Sequence, residues 1–167
     1  MTQWRNTHPT LQQIAAAINS LKSQIGAGSS FHLDVSDINV TATNASDAAS
    51  LLTLTNQLIV VYRAHLEDPA FVEGGALSHK VADPAPSLTI ATDTAGCITA
   101  LNAIKADYNT HRASTTYHYN ADSTNAVTSS DATNEASAIT LANEIKTDLN
   151  AHIASAPSGA SIRMVGL

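Results

Sequence analysis

The sequence is short of the residues that usually announce a function. Cysteine occurs once, at Cys97, so no intrachain disulfide can form and no redox compartment can be read. Cys97 has no base near it in sequence and sits inside a helical stripe, where it reads as a small apolar residue and not a reactive thiol. Aromatic residues are 4% of the chain while hydrophobic residues are 44%. The core must therefore be built from Leu, Ile, Val and Ala, which suits closely packed helices better than stacked sheets. Charged residues are 13%, about half the roughly 25% usual in soluble domains. The 8 Lys and Arg are outnumbered by 14 Asp and Glu, giving a net charge of −6, and no basic cluster is present. Such a chain has nothing with which to neutralise nucleic-acid phosphates.

Other absences exclude further classes. The N-terminal residues lack the charged, apolar, small-residue order of a secretory signal. The longest strongly apolar run, Leu58-Ile59-Val60-Val61-Tyr62, falls far below the roughly 18–20 residues that span a bilayer. A soluble protein is expected. No Gly-x-Ser-x-Gly elbow, phosphate-binding Gly-rich loop, His-Glu-x-x-His or Glu-x-x-His spacing occurs, and Gly74-Gly75 is a turn signal only. No enzyme activity and no cofactor are expected.

What the chain does contain is repetition. One phrase runs through it four times: Ile18-Asn19-Ser20-Leu21 onward, Asn56-Gln57-Leu58 to His65, Asn102-Ala103-Ile104 to His111, and Asn143-Glu144-Ile145 to His152. In the last three copies His follows Asn by nine residues; in the first, Gly28 stands where the His would fall. Each phrase has helical period. Ile14, Ile18, Leu21 and Ile25 form one stripe, and Leu51, Leu58, Tyr62 and His65 a second. Leu101, Ile104, Tyr108 and His111 form a third, and Ile145, Leu149 and His152 a fourth. Helices are predicted near 9–26, 46–67, 96–113 and 133–154. Their predicted N-caps are Asn44 or Ser46 for the second, Thr94 for the third, and Asp131 or Thr133 for the fourth, with Gly26 and Gly28 stopping the first.

Phe31-His32 precedes the second phrase as Tyr117-His118 precedes the fourth, so residues 9–67 match residues 95–154. The predicted fold is all-α, a four-helix bundle made from a duplicated helical hairpin. It spans 1–156 as hairpin 9–67, a long connection 68–94 rich in Pro and Gly, and hairpin 95–154. A C-terminal arm, 157–167, follows. Short β pairings are expected in the loops, at Phe31-His32-Leu33, Val40-Thr41 and Thr115 to Tyr119.

Seven histidines raise the question of metal. In an up-down-up-down bundle, His65 and His152 would lie at one end, and His111 at the other beside His32 and His118. The preferred reading is structural: each repeat imidazole caps the orphan carbonyls at the end of its helix and meets the negative pole there. A metal site of His32, His111 and His118 is the alternative. The repeated asparagines Asn19, Asn56, Asn102 and Asn143 flank the apolar stripes and are expected to fix register by hydrogen bonds to loops or helices.

The stretch from Leu101 to Ala113, then Tyr117-His118, Asp131-Ala132-Thr133 and Leu141 to His152, resembles a repeat of tailed-bacteriophage virion proteins, which are small, Ala/Ser/Thr-rich structural proteins. The resemblance covers the second half of the chain, and the first half only through the duplication. It implies an assembly role, with the major capsid protein or other virion subunits as partners and with homo-oligomers within its scope. Negative charge disfavours the DNA-filled lumen, so the expected function is a capsid decoration or cement protein on the particle exterior, soluble in the host cytoplasm before assembly. The connection 68–94 and the arm 157–167 would bridge neighbours. A neck, tail or head–tail connector component is the alternative in the same class. A His-dependent metal-binding bundle protein or enzyme is the alternative from another class, and a partner-binding bundle with no virion link is a third.

Overall fold

The computed structural model describes residues 39–67, 79, 83–118 and 120–154. They form three helices, α1 (Ala48–Glu67), α2 (Thr94–Ala113) and α3 (Glu135–Ile153), each packed against the other two. The bounds lie within two residues of those predicted. The predicted helix 9–26, the first copy of the phrase, His32 and the arm 157–167 lie outside the described residues. Among the described residues no strand forms: Val40-Thr41 is extended but unpaired as a ladder, and Thr115 to Tyr117 is a turn.

Each N-cap falls next to, and not on, the residue the sequence suggested. Asp93 and Asn134 hold extended backbone (φ −153° and −152°) and accept from the N–H of Gly96 and Ser137. Asp47 accepts from Ser50 in the same way, at 2.8 Å. The requirement is a short acceptor side chain three residues before an N–H it can reach, and Asp47, Asp93 and Asn134 meet it in register. Ser50 and Ser137 return a hydroxyl bond to the cap's own N–H. Gly96 replaces that serine in α2. A Cβ there would stand 3.3 Å from the Asp93 carboxylate.

The helices run parallel, which overturns the up-down-up-down arrangement. Each is led by an extended segment lying back along the preceding helix. After α1, Asp83 N–H bonds the Leu66 carbonyl, Arg63 bonds the Leu88 carbonyl and Asn56 grips Ala91, so the chain returns to the start of the bundle before α2 begins. After α2, the contacts Asp122 with Arg112, Val127 with Asn109, Asp131 with Lys105 and Ala132 with Asn102 trace the same return. Ahead of α1, residues 40–45 run antiparallel to α3, with Val40 on Asn150, Ala42 on Lys146 and Ala45 on Asn143. The ring is closed: the first described segment lies on the last helix.

The result is a pseudo-threefold motif of one extended segment plus one helix. Its register is set by the asparagines. The Asn56 carboxamide accepts from Ala91 N–H at 2.8 Å and donates to Ala91 C=O at 3.0 Å. Asn102 does the same to Ala132 and Asn143 to Ala45, at the same two distances. An amide side chain offers one donor and one acceptor side by side, which is the complement of one residue's backbone. Two turns on, Asn109 grips Val127 and Asn150 grips Val40 in the same two-bond manner. The third equivalent position is Arg63, facing a segment where Pro86 has no N–H to offer, and it bonds the Leu88 carbonyl instead. Asn56, Asn102 and Asn143 thus make the loop hydrogen bonds expected of them, and Asn19 lies outside the described residues.

Along the axis the apolar stripes meet in layers. Leu58, Ile104 and Ile145 form one, Tyr62, Tyr108 and Leu149 the next, and His65, His111 and His152 the last, all of them buried. The tyrosine hydroxyls find partners at the layer edge: Tyr62 donates to Asp107 at 2.5 Å, and Tyr108 to the Asn125 and Asp148 carbonyls. Cys97 is fully buried at the level of Leu51 and Ala138, as a small apolar filler, and burial pushes its thiol up. No helix among the described residues is long and apolar enough to cross a membrane.

Candidate metal centre

Because the helices are parallel and in register, the nine-residue step from Asn to His carries three imidazoles to one point on the axis. His65 and His111 have ring centroids 5.1 Å apart, His65 and His152 5.2 Å, and His111 and His152 5.7 Å. The turn after α2 adds a fourth. His118 N–H bonds the Ser114 carbonyl at 3.2 Å, closing a single helical turn that swings its ring against His111 at 4.4 Å and His152 at 4.9 Å. The ligand-capable nitrogens of His65, His111, His118 and His152 all lie within 4.8 Å of one another. Their residues are no more than 1% exposed. A fifth imidazole, the fully buried His79 of the α1–α2 connection, stands against His65, His111 and His118 at 4.5, 5.0 and 4.9 Å.

The partners of these rings orient them. His111 Nδ1 is 2.9 Å from Asp83 Oδ2, and His152 Nδ1 is 2.9 Å from Asp122 Oδ2. Nδ1 of His118 meets the Ser114 carbonyl at 3.2 Å. An acceptor at Nδ1 places the ring proton there and leaves the Nε2 lone pair for the interior, the arrangement of metal-ligating histidines with carboxylate or carbonyl support. His65 Nε2 and His111 Nε2 approach to 3.1 Å. Tyr117 stacks on His111 at 5.9 Å and bonds Asp83, extending the support outward.

Asp122 is 1% exposed and saturated. It accepts from His152, from the backbone N–H of Thr124 and Asn125, and from both of their side chains. Burial works against its charge, but the His152 bond and the N–H donors prevail and hold the carboxyl well below the usual range. Asp83 is pushed up by burial, with Tyr117 opposing. Burial takes His118 down to about 3, with His152 and His79 adding to it, and takes His152 down against the pull of Asp122. Neutral imidazole is the form that binds a metal ion. Replacing Asp122 by Asn removes the charge that makes His152 a better donor. A loss of metal affinity of roughly tenfold to a hundredfold is expected in a competition titration against a chromophoric chelator.

The same shifts set an acid limit. An unfolded His118 takes up a proton near pH 6.5, whereas the folded one stays neutral to about 3. Between those values the unfolded chain binds the extra proton. Stability is thus intact above about pH 6.5 and falls as pH drops, by about 1.4 kcal/mol per pH unit for each such imidazole. His152 acts in the same direction. Asp148 opposes them: burial, then Glu144 and Asp122, raise its carboxyl to about 6, so the folded state gains a proton below that pH. Asp83, raised by burial, opposes them too, while Asp122 and Glu144, held below the usual carboxylate range, add to the loss at the acid end. Chelator-treated protein should melt at progressively lower temperature from pH 6.5 to pH 4, and a constant melting temperature over that range would contradict the assignment.

The sequence-predicted residues are thus redistributed. His111 and His118 do lie together, while His32 is outside the described residues. His65 and His152, expected at the far end, join them because the helices are parallel. The nitrogens of His111 and His152 turn to carboxylates, which replaces the expectation that they cap their helix carbonyls. His79, Asp83 and Asp122 were not anticipated. The repeated Asn-to-His spacing was the one signal for the cluster, and it points to it only once helix direction is known. Comparison with protein-family models, with curated proteins and with solved structures gives no match.

Proposed function

We propose that this protein is a structural subunit held together from within by a transition-metal ion, and that it serves in an assembly and not as a catalyst. The observation that carries this is the convergence of His65, His111, His118 and His152, four nitrogens within 4.8 Å, from all three helices and one connection. Imidazole donors suit zinc, copper, iron and nickel over calcium or magnesium. Ligands that are fully buried describe a closed site, the mark of a structural ion; a catalytic ion keeps a position open to substrate. One ion would tie α1, α2 and α3 together at the end opposite their N-caps, where the connections leave the bundle.

The assembly we propose is the exterior of a tailed-phage particle, with decoration of the shell as the role. Its supports are the resemblance of the repeat to virion proteins, a surface poor in charge, and a net charge of −6 that disfavours packaged DNA. Val60 and Ile90 are exposed by 58% and 50%. Val60 shares the face of α1 with Asn56 and Arg63, which hold the segment carrying Ile90, so the two stand on one side of the molecule.

Two measurements test the two halves of the proposal. Elemental analysis of full-length protein purified without added metal should find close to one transition-metal ion per chain. No metal, and none taken up on titration, would remove the metal half. Quantitative mass spectrometry of purified virions should find it in near-stoichiometric ratio to the major shell protein. A handful of copies would reassign it to the neck or tail, and absence would remove the virion half.

A further inference from the structure

The five imidazoles are connected in a way that four-coordinate zinc does not require. His65, His79, His118 and His152 form a closed cycle of neighbours, at 4.5 Å (His65 to His79), 4.9 Å (His79 to His118), 4.9 Å (His118 to His152) and 5.2 Å (His152 to His65). His111 stands against every member of that cycle, at 5.1, 5.0, 4.4 and 5.7 Å in the same order. Four in a ring and a fifth touching all four is the connectivity of a square pyramid. Neighbouring ring planes are steeply inclined, between 56° and 88°; the ligand nitrogens of His65, His111, His118 and His152 lie within 4.8 Å of one another, and the ring of His79 packs against His65, His111 and His118.

The spacings agree. With metal–nitrogen bonds of about 2.0–2.2 Å, two imidazole nitrogens at a right angle lie about 3 Å apart, and at a tetrahedral angle about 3.4 Å. His65 Nε2 and His111 Nε2 are 3.1 Å apart. Ring centroids would stand about 4.6 Å apart at a right angle and above 5 Å at a tetrahedral one, and His79 and His118 supply the short contacts, at 4.4 to 5.0 Å.

We propose that His79 is a fifth ligand, and that the centre is built for a five- or six-coordinate ion of the iron(II), cobalt(II) or nickel(II) class ahead of tetrahedral zinc. This rests on the metal-centre reading above and adds to it a coordination number and an ion class. All-nitrogen donors select these ions over manganese and magnesium, and geometry then separates them from zinc.

The test is cobalt(II) loaded into the chelator-stripped full-length protein and read by visible absorption. Wild type is expected to show the weak d–d bands of five- or six-coordinate cobalt. His79→Ala is expected to keep one cobalt per chain but shift to the intense bands of a tetrahedral site, and to lose roughly tenfold or more in nickel(II) affinity while changing little for zinc(II). His79→Gln, with helix content checked by circular dichroism, guards against a folding defect in the smaller variant. Intense tetrahedral bands in wild type, unchanged in both variants, would overturn the fifth ligand while leaving a four-histidine site intact. No cobalt, nickel or zinc uptake by wild type would overturn the metal centre as a whole.

Discussion

Stripping the purified protein with a strong chelator is expected to lower its melting temperature by roughly 10 °C, and one equivalent of nickel(II) or zinc(II) to restore it. An ion that binds only the folded state stabilises it by about 4 kcal/mol when free metal exceeds the dissociation constant a thousandfold. For a chain of 167 residues each kcal/mol moves the transition by about 2–4 °C. The effect should be large here because His65, His111 and His152 come from three different helices, so no pair of them is close in the unfolded chain. A chelator-insensitive melting temperature, with no heat of metal binding by calorimetry, would sink the centre.

The second large effect is expected at Asn143. Its carboxamide donates to and accepts from Ala45, the contact that closes the ring between the first described segment and the last helix. Asn143→Ala leaves both backbone groups of Ala45 without these bonds in a part-buried groove. At about 1–3 kcal/mol for each group so stranded, a loss of about 3 kcal/mol is expected in urea unfolding. Asn143→Asp should cost less, since its carboxylate still accepts from Ala45 N–H but cannot donate to Ala45 C=O. The pseudo-threefold motif makes the result transferable: Asn56→Ala and Asn102→Ala remove the same bond pair from Ala91 and Ala132 and should fall in the same range. Thr147→Ala, which removes only an exposed bond to its own helix, should change stability little. Equal, small losses at all four positions would show that apolar layers alone set the register.

Local chemistry was written in the chain. Apolar period located α1, α2 and α3, because a stripe such as Leu101, Ile104, Tyr108 and His111 can be buried on one side only as a helix. The return of Asn at the same offset marked a register contact, because a carboxamide beside an apolar stripe has to spend its donor and acceptor on some backbone. The identity of the last-turn residue as His was equally plain. Helix direction was not. A connection such as residues 114–134 is long enough either to wander as a loop between antiparallel helices or to run the length of a helix and start a parallel one, since a 20-residue helix is about 30 Å long and about ten extended residues cover that distance. Period and composition are the same in both cases. The choice is made by long-range pairs, Asn102 with Ala132 and Asn143 with Ala45, whose partners are unremarkable alanines. That choice decided where the histidines went: antiparallel helices would have split His65 and His152 from His111, and parallel ones place all three in one layer, where His118, His79 and the carboxylates of Asp83 and Asp122 complete a centre that no stretch of sequence contains.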